Sequence, residues 1–275
     1  MDVTLAGFGL GAVVGLILAL TGAGGGILAV PLLVFGLHLS IMQAAPIGLI
    51  AVGAASVFGA ALGLREGIVR YRAAALIGIT GMLLAPLGVQ LAQLIPGPPL
   101  TVAFAIVLGW VALRTFRQSR RGAAEHLEGA LSRPQLPCIV NPDVERLTWT
   151  TSCAWALALT GAVAGLLSGL LGVGGGFVIV PSLSHFTNLA TRSIVATSLT
   201  VIALVSAGGV AAAAWQGAID WHVAVPFAAG AIAALLAGRQ LAARLAGKRL
   251  QQSFAAISAA VDMLMLARAM GWIAA

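Results

Sequence analysis

Two stretches of this chain share one pattern: Gly22-Ala23-Gly24-Gly25-Gly26-Ile27-Leu28-Ala29-Val30-Pro31-Leu32-Leu33 and Gly172-Val173-Gly174-Gly175-Gly176-Phe177-Val178-Ile179-Val180-Pro181-Ser182-Leu183. Each places four glycines between apolar segments. A glycine inside a helix costs about 0.5–1 kcal/mol relative to alanine, so a repeated glycine run indicates a place where bare backbone is needed. The repetition also predicts a duplicated architecture.

The composition indicates that most of the chain is surrounded by lipid. Of its 275 residues, 60% are hydrophobic and only 8% are charged, whereas a soluble domain carries roughly 25% charged residues. The strict alternation typical of a membrane β-barrel strand is absent from the sequence. We therefore predict an all-α, polytopic helical membrane protein.

The 150-residue offset between the two motifs extends well beyond them. It also aligns Gly11 with Gly161, Gly15 with Gly165, Ser56 with Ser206, Gly59 with Gly209 and Gly67 with Gly217. We predict a first transmembrane repeat over residues 1–116, a polar linker over residues 117–150 and a second repeat over residues 151–275.

Each repeat contains five apolar segments, of which the second has only about 11 residues. Such a helix reaches about 16 Å, or half of a hydrocarbon core of about 30 Å. With the first segment it predicts a helical hairpin whose glycine tip lies inside the membrane, followed by three spanning helices. The segments are 3–20, 27–37, 42–64, 71–94 and 98–115 in the first repeat and 152–171, 177–187, 193–215, 221–246 and 250–270 in the second.

The basic residues predict that the two repeats are inverted relative to each other. If the linker is cytoplasmic, inversion places 14 of the 15 lysines and arginines on the cytoplasmic side and leaves only Arg268 outside. A parallel arrangement would place many of them outside, against the positive-inside rule. Both chain termini then lie outside. The same rule accounts for the net charge of +7, so nucleic acid is not an expected partner.

The glycine motifs are the candidate substrate-binding site. The short helices that follow them present unpaired N–H groups and positive dipole ends near the middle of the membrane, where an anion would be favoured. The residues assigned to this role are Gly24, Gly25, Gly26, Gly174, Gly175 and Gly176. The alternative is close helix packing through small residues.

Hydroxyl groups in the spans add neutral donors that suit a weakly basic oxyanion. Ser56 and Ser206 form a symmetric pair, and Thr197-Ser198 follows the second hairpin. The alternative for each is a hydroxyl bonded to its own helix.

Five further residues are candidates for coupling or gating: His185, Asp262, Arg192, Pro31 and Pro181. The histidine could carry a proton, and an acid inside a span is a functional candidate. The arginine could draw anions to the cytoplasmic mouth, and each proline kinks or ends its short helix. The alternatives are an interfacial histidine, and an acid that pairs with Arg268 or stabilises an oligomer.

Other chemistry has no support in the sequence. Cys138 and Cys153 are too few for a disulfide framework and are predicted to be two ordinary thiols. Clusters typical of a catalytic or metal site are missing, so we expect no enzymatic activity, no cofactor and no metal.

The doubled motif resembles the sulfite exporter TauE/SafE family of membrane permeases. Ala196-Thr197-Ser198-Leu199 and Gly217-Ala218-Ile219-Asp220-Trp221 are similar to further family patterns, and the resemblance covers nearly the whole chain except the linker. It implies transport of sulfite, sulfoacetate or related sulfur-containing anions, usually as export. The first half has Ala45-Pro46-Ile47-Gly48 in place of Val195-Ala196-Thr197-Ser198. The second half is therefore expected to supply more of the side chains that bind the substrate.

We therefore expect a secondary transporter of a small sulfur-containing anion that works by alternating access. Its expected location is the inner membrane of a bacterium, surrounded by the lipid bilayer, with a homodimer as a candidate assembly. The alternative function is a non-transport membrane scaffold or assembly protein.

Overall fold

The computed structural model describes residues 3–21, 25–120, 138, 140–141, 146–147, 150–187 and 189–245. These residues form nine α-helices and one short strand pair. The helices are α1 (Val3–Thr21), α2 (Gly25–Gly36), α3 (Ile41–Arg65), α4 (Tyr71–Leu94), α5 (Gly97–Arg120), α6 (Thr151–Leu171), α7 (Gly176–Phe186), α8 (Thr191–Trp215) and α9 (Trp221–Leu245). In the linker, β1 (Val140–Asn141) pairs antiparallel with β2 (Arg146–Leu147).

The helix bounds confirm the predicted helical membrane architecture. Every apolar segment predicted within the described residues is a helix, and all bounds agree within two residues except that of α5, which extends to Arg120. Helices α3, α4, α6, α8 and α9 are long and apolar enough to cross a membrane. Helices α2 and α7 have 12 and 11 residues, as the glycine motifs predict. The predicted segment 250–270 lies outside the described residues.

Helices α1 and α9 pack through small residues. A Cβ on Gly11 would lie 2.0 Å from the carbonyl O of Phe227, and one on Gly15 would lie 2.0 Å from that of Ala231. The residue numbers rise together along both helices, so the helices run parallel. Glycines let the two backbones approach this closely, which is one way that helices associate in lipid.

Helices α6 and α4 pack in the same way at positions given by the 150-residue offset. A Cβ on Gly161 would lie 2.4 Å from the carbonyl O of Ile77, and one on Gly165 would lie 2.1 Å from that of Gly81. The first helix of each predicted repeat thus packs against the fourth helix of the other. Two inverted repeats would produce this exchange, although the inverted orientation itself stays a prediction.

Helices α3 and α8 cross antiparallel and are largely buried. The Cβ position of Gly59 lies 2.8 Å from the side chain of Leu199, and that of Gly209 lies 3.0 Å from the side chain of Leu49. The 150-residue offset converts one contact into the other, because Gly59 corresponds to Gly209 and Leu199 corresponds to Leu49. The central helix pair therefore has an approximate twofold symmetry.

The two ends of the bundle carry different polar groups. The end where residues 66–70 meet residues 190–193 is called the arginine face, because Arg192 pairs with Glu66 there. The opposite end is called the glutamine face, because Gln93 Nε2 donates to Gln216 Oε1 there. Exposed aromatic rings, typical of a membrane–water interface, lie near both faces: Tyr71 and Trp155 near the first, and Trp215 and Trp221 near the second.

Cys138 and Cys153 form a disulfide, so the prediction of two ordinary thiols was wrong. Their Cα atoms are 5.1 Å apart, and both residues are buried. Cys153 lies in the first turn of α6, while Cys138 forms a β-bridge with Thr187 just after α7. The linker therefore returns to the second repeat, and hydropathy gives no signal for such a return.

Candidate functional site

The two glycine motifs meet inside the molecule. A Cβ on Gly26, in the first turn of α2, would lie 2.2 Å from the carbonyl O of Val173, in the loop before α7. A Cβ on Gly172, in the same loop, would lie 2.3 Å from the Cα of Ala45 on α3. Side chains larger than hydrogen would separate these backbones. The contact thus joins two motif copies that are 150 residues apart in the sequence.

The loop between α6 and α7, called the glycine loop, is a glycine turn, a kind of backbone that can form a concave anion site. Gly172, Gly174 and Gly175 have φ values of +74°, +75° and +70°, in the left-handed region that favours glycine. Tight turns of this kind present successive N–H groups to one concave surface. Among the residues that the structure describes, no side chain caps α7 at Gly175. The N–H groups of Gly176 and Phe177 therefore lack an acceptor within the helix.

The side chain of Ser206 on α8 reaches this loop. Its Oγ lies 3.6 Å from the Cβ position of Gly174 and 3.3 Å from that of Gly53 on α3. Ser206 is only 1% exposed, and its hydroxyl has no hydrogen-bond partner among the described residues. Buried polar groups are nearly always bonded. An unpartnered, buried hydroxyl beside Gly174 therefore favours a ligand site here.

Two more hydroxyls are buried and have no hydrogen-bond partner among the described residues. Ser56, the counterpart of Ser206, is fully buried on α3 and has no partner within the described part of the chain. The same holds for Ser168 in the last turn of α6. Its counterpart is Leu18, so the symmetry argument that selects Ser56 and Ser206 passes over Ser168.

The hydroxyls of Thr197 and Ser198 are bonded elsewhere. Thr197 Oγ1 accepts a hydrogen bond from the N–H of Arg70 at 3.1 Å, near the arginine face. Ser198 Oγ donates to the carbonyl O of Val195 in its own helix at 2.8 Å. Both residues lie about 12 Å before Ser206 along the helix axis. The structure does not bring this pair to the glycine loop.

Two of the coupling candidates lie at or near the surface. Arg192 is 76% exposed in its side chain and pairs with Glu66 at 3.1 Å. His185 is exposed, and its ring contacts that of Phe186 edge-on. Neither side chain contacts the glycine loop.

The remaining candidates separate into two groups. Pro31 and Pro181 lie inside α2 and α7, and each helix continues for five residues beyond its proline, so neither proline ends its helix. Asp262 and Gly24 lie outside the described residues.

Polar contacts join the two predicted repeats at the arginine face. The Arg192–Glu66 ion pair is accompanied by Ser193 Oγ, which donates to the carbonyl O of Ile68 at 2.7 Å. The bond between Arg70 and Thr197 lies beside them. We call this set of six residues the latch. It ties the loop before α4 to the first turns of α8.

The counterparts of the latch residues on α8 cannot form the same contacts at the glutamine face. Arg192 corresponds to Met42 and Thr197 to Ile47, which carry neither charge nor hydroxyl. Gln43, the counterpart of Ser193, instead forms a capping box with Ser40. The latch is therefore asymmetric although the helices around it are symmetric.

A small apolar cavity of about 10 Å³ lies beside the glycine loop. Its walls come from α2, α5, the end of α6 and the start of α7, and include Ile27, Phe104, Leu108, Leu171, Val173 and Phe177. The nearby α3 and α8 carry charged residues only at their ends, at Arg65 and Arg192. The site thus combines neutral polar donors with an apolar wall. Among the described residues, no group of three His, Cys, Asp or Glu could hold a metal.

Comparison with known proteins gives one family and two close relatives. The family model described as sulfite exporter TauE/SafE matches residues 7–265. Two relatives from Xylella fastidiosa are each named "Probable membrane transporter protein": that of strain 9a5c is 31% identical over 267 residues, and that of strain Temecula1 / ATCC 700964 is 30% identical over 268 residues. Each alignment covers 94% of this chain and 94% of the relative. No solved structure gives a significant match.

Proposed function

Because this chain belongs to the sulfite exporter TauE/SafE family and is a membrane transporter, we propose that it exports a small sulfur-containing oxyanion by alternating access. The observation that carries this proposal is the buried, unpartnered hydroxyl of Ser206 beside Gly174. The proposed donors are this hydroxyl, that of Ser56 and the first N–H groups of α7. With membership of a transporter family, the scaffold alternative loses its basis.

Neutral donors suit a substrate that must be bound and then released. N–H groups at a helix N-terminus favour negative charge through the helix dipole. One hydrogen bond to a charged group contributes about 1.5–3 kcal/mol. Because α3 and α8 are charged only at their ends, the anion would meet no fixed cation from these helices at the glycine loop. We expect moderate affinity as a result.

Alternating access requires that the site open to each side in turn. Gly26 and Val173 belong to different repeats, so a movement of one hairpin against the other would open or close the anion site between them. The latch joins the repeats at the arginine face, which the basic residues assign to the cytoplasm. Export would begin with release of the latch and entry of the anion from that face.

The apolar cavity favours a sulfonate whose carbon part is uncharged. The cavity itself has room for about one water molecule, so the alkyl group of a sulfonate bound at the glycine loop would contact the apolar wall rather than fill the cavity. Burying a second charge there would be costly. We therefore expect ethanesulfonate to compete better than sulfoacetate, which carries a carboxylate at its other end.

Transport measurements on purified protein in liposomes test this proposal. We expect saturable flux of labelled sulfite, competed by alkyl sulfonates and weakly by acetate. Ser206→Ala should raise KM at least about tenfold, because it removes one hydrogen bond to a charged ligand. Ser198→Ala is the matched control, since Ser198 is equally buried but bonded within its own helix.

Two outcomes would contradict the proposal in different ways. If folded wild-type protein carries none of these anions, the substrate class is wrong. If Ser206→Ala and Ser198→Ala have the same KM as wild type, Ser206 does not belong to the site.

A further inference from the structure

Ser168 is a buried hydroxyl that has no counterpart in the first repeat. We propose that it is a third anion-binding group, so that the hairpin of α6 and α7 holds the anion more strongly than the hairpin of α1 and α2. This inference rests on the proposed function, because it concerns the same site. It adds a residue that neither the motif nor the symmetry selects.

The hydrogen bonding of α6 sets Ser168 apart from its neighbours. A hydroxyl in a helix commonly donates to the carbonyl four residues earlier. Thr160 on the same helix does so, with the carbonyl O of Ala156 at 2.7 Å. Ser168 Oγ makes no such bond and has no partner among the described residues, although the residue is 0% exposed. An unpaired buried hydroxyl is unfavourable, and a bound anion would offset that cost.

The position of Ser168 places it on the side of α6 that faces the start of α7. Ala164, one turn earlier, contacts Gly175, whose Cβ position lies 2.8 Å from the Ala164 carbonyl O. Leu171, three residues later, lines the apolar cavity. Residues three and four apart share one side of a helix. Ser168 therefore lies between the cap of α7 and the cavity.

In the first repeat, the position equivalent to Ser168 carries a leucine and therefore no hydroxyl. Leu18 is fully buried there, and its Cβ lies 2.7 Å from the Cβ position of Gly25. Gly25 is the counterpart of Gly175, so a leucine lies against the glycine in the first hairpin, whereas the second hairpin has a serine at the matching position. A leucine can only exclude water, whereas a serine can donate to an oxyanion. The two halves of the site are therefore chemically unequal.

The test compares Ser168→Ala with Ser198→Ala, with sulfite as the probe. Both serines are 0% exposed and lie in helices, but only Ser198 has a hydrogen bond. We expect Ser168→Ala to weaken sulfite binding about tenfold, read from the concentration dependence of the thermal shift. Without sulfite, it should melt at or above the wild-type temperature, because an unpartnered hydroxyl is removed. Ser198→Ala should keep wild-type sulfite affinity.

The outcomes separate this inference from the proposed function. If wild-type protein responds to sulfite and Ser168→Ala responds within twofold of it, Ser168 is only a packed hydroxyl and the inference fails alone. If wild-type protein shows neither sulfite binding nor flux, the proposed function fails and the inference fails with it. Restored affinity in Ser168→Thr, which keeps the hydroxyl, would support a role for the hydroxyl itself.

Discussion

Gly26 and Gly174 belong to the same central contact, but glycine is required at each for a different reason. Gly26 lies in the first turn of α2 without a positive φ, and the space for its Cβ is filled by the carbonyl O of Val173 at 2.2 Å. Gly174 has a φ of +75°, so a side chain would strain its backbone wherever it pointed. One glycine allows contact between repeats, and the other shapes the loop.

Gly26→Ala should destabilise the protein by more than the roughly 1–3 kcal/mol of ordinary overpacking, because the new methyl group would meet backbone rather than a movable side chain. Gly9→Ala is the matched control, since among the described residues no atom outside its own helix backbone lies within 4 Å of its Cβ position, and helix propensity favours alanine by about 1 kcal/mol. Thermal unfolding in detergent measures both. Equal melting temperatures would mean that the two hairpins do not touch at Gly26.

At the residue scale, the part of the site that could not be predicted from the sequence is which hydroxyl groups form hydrogen bonds. Ser198 and Ser206 lie in one helix and are almost equally buried, yet only Ser198 bonds to its own backbone. The difference depends on side-chain rotamers and on the neighbouring helix, which residue type does not determine. The role of Ser168 could not be predicted from the repeats either. Comparison of the two repeats finds residues that both share, and the first repeat has Leu18 at this position.

Among the helices, the strongest asymmetry is the latch between the loop before α4 and the start of α8. Its ion pair is exposed, so it contributes at most about 1 kcal/mol. A change of that size still alters a two-state equilibrium about fivefold. The latch can therefore bias which face is open without making the transporter rigid.

Arg192→Met, which installs the residue found at the counterpart position Met42, should weaken the latch. In a double-mutant cycle with Glu66→Gln we expect a coupling of about 0.2–1 kcal/mol in thermal unfolding. Both single variants and the double variant should show the same change in transport rate, because each removes one ion pair. Asp220→Asn alters a charge at the other face and is the control. Additive effects of the two latch substitutions would contradict the pairing.

Helix bounds could be predicted because hydropathy, glycine and proline are local signals. The partners of the helices could not be predicted in this way. Gly11 and Gly15 indicate that another backbone comes close, but they do not specify that it belongs to α9. Packing in lipid depends on shape, and many apolar helix surfaces offer the same shape to different partners.

On the scale of the whole molecule, the disulfide and the basic residues indicate opposite sides of the membrane for the linker. The positive-inside rule assigns the linker to the cytoplasm, whereas disulfides persist in oxidising compartments. The structure shows the oxidised form, with Cys138 and Cys153 paired at a Cα separation of 5.1 Å. The two indications agree if this bond is absent in the reducing cytoplasm and forms when the protein meets an oxidant.

We therefore expect a maleimide reagent to label both cysteines in acid-quenched cells and neither in oxidised, purified protein. Oxidation should raise the stability by up to about 3 kcal/mol, because the bond closes a loop of 15 residues. Cys138→Ser removes this gain and serves as the control. Unlabelled cysteines in freshly quenched cells would place the linker on the oxidising side and reverse the predicted topology.

The pairing of α1 with α9 also has a consequence for how the protein is made. The ribosome must synthesise the 199 residues 22–220 between Thr21, where α1 ends, and Trp221, where α9 begins. At 5–20 residues per second this takes about 10–40 s. During that interval the glycine-lined surface of α1 lies in the membrane without its native partner. The newborn chain thus depends on lipid, or on the insertion machinery, to shield its first helix until its ninth is made.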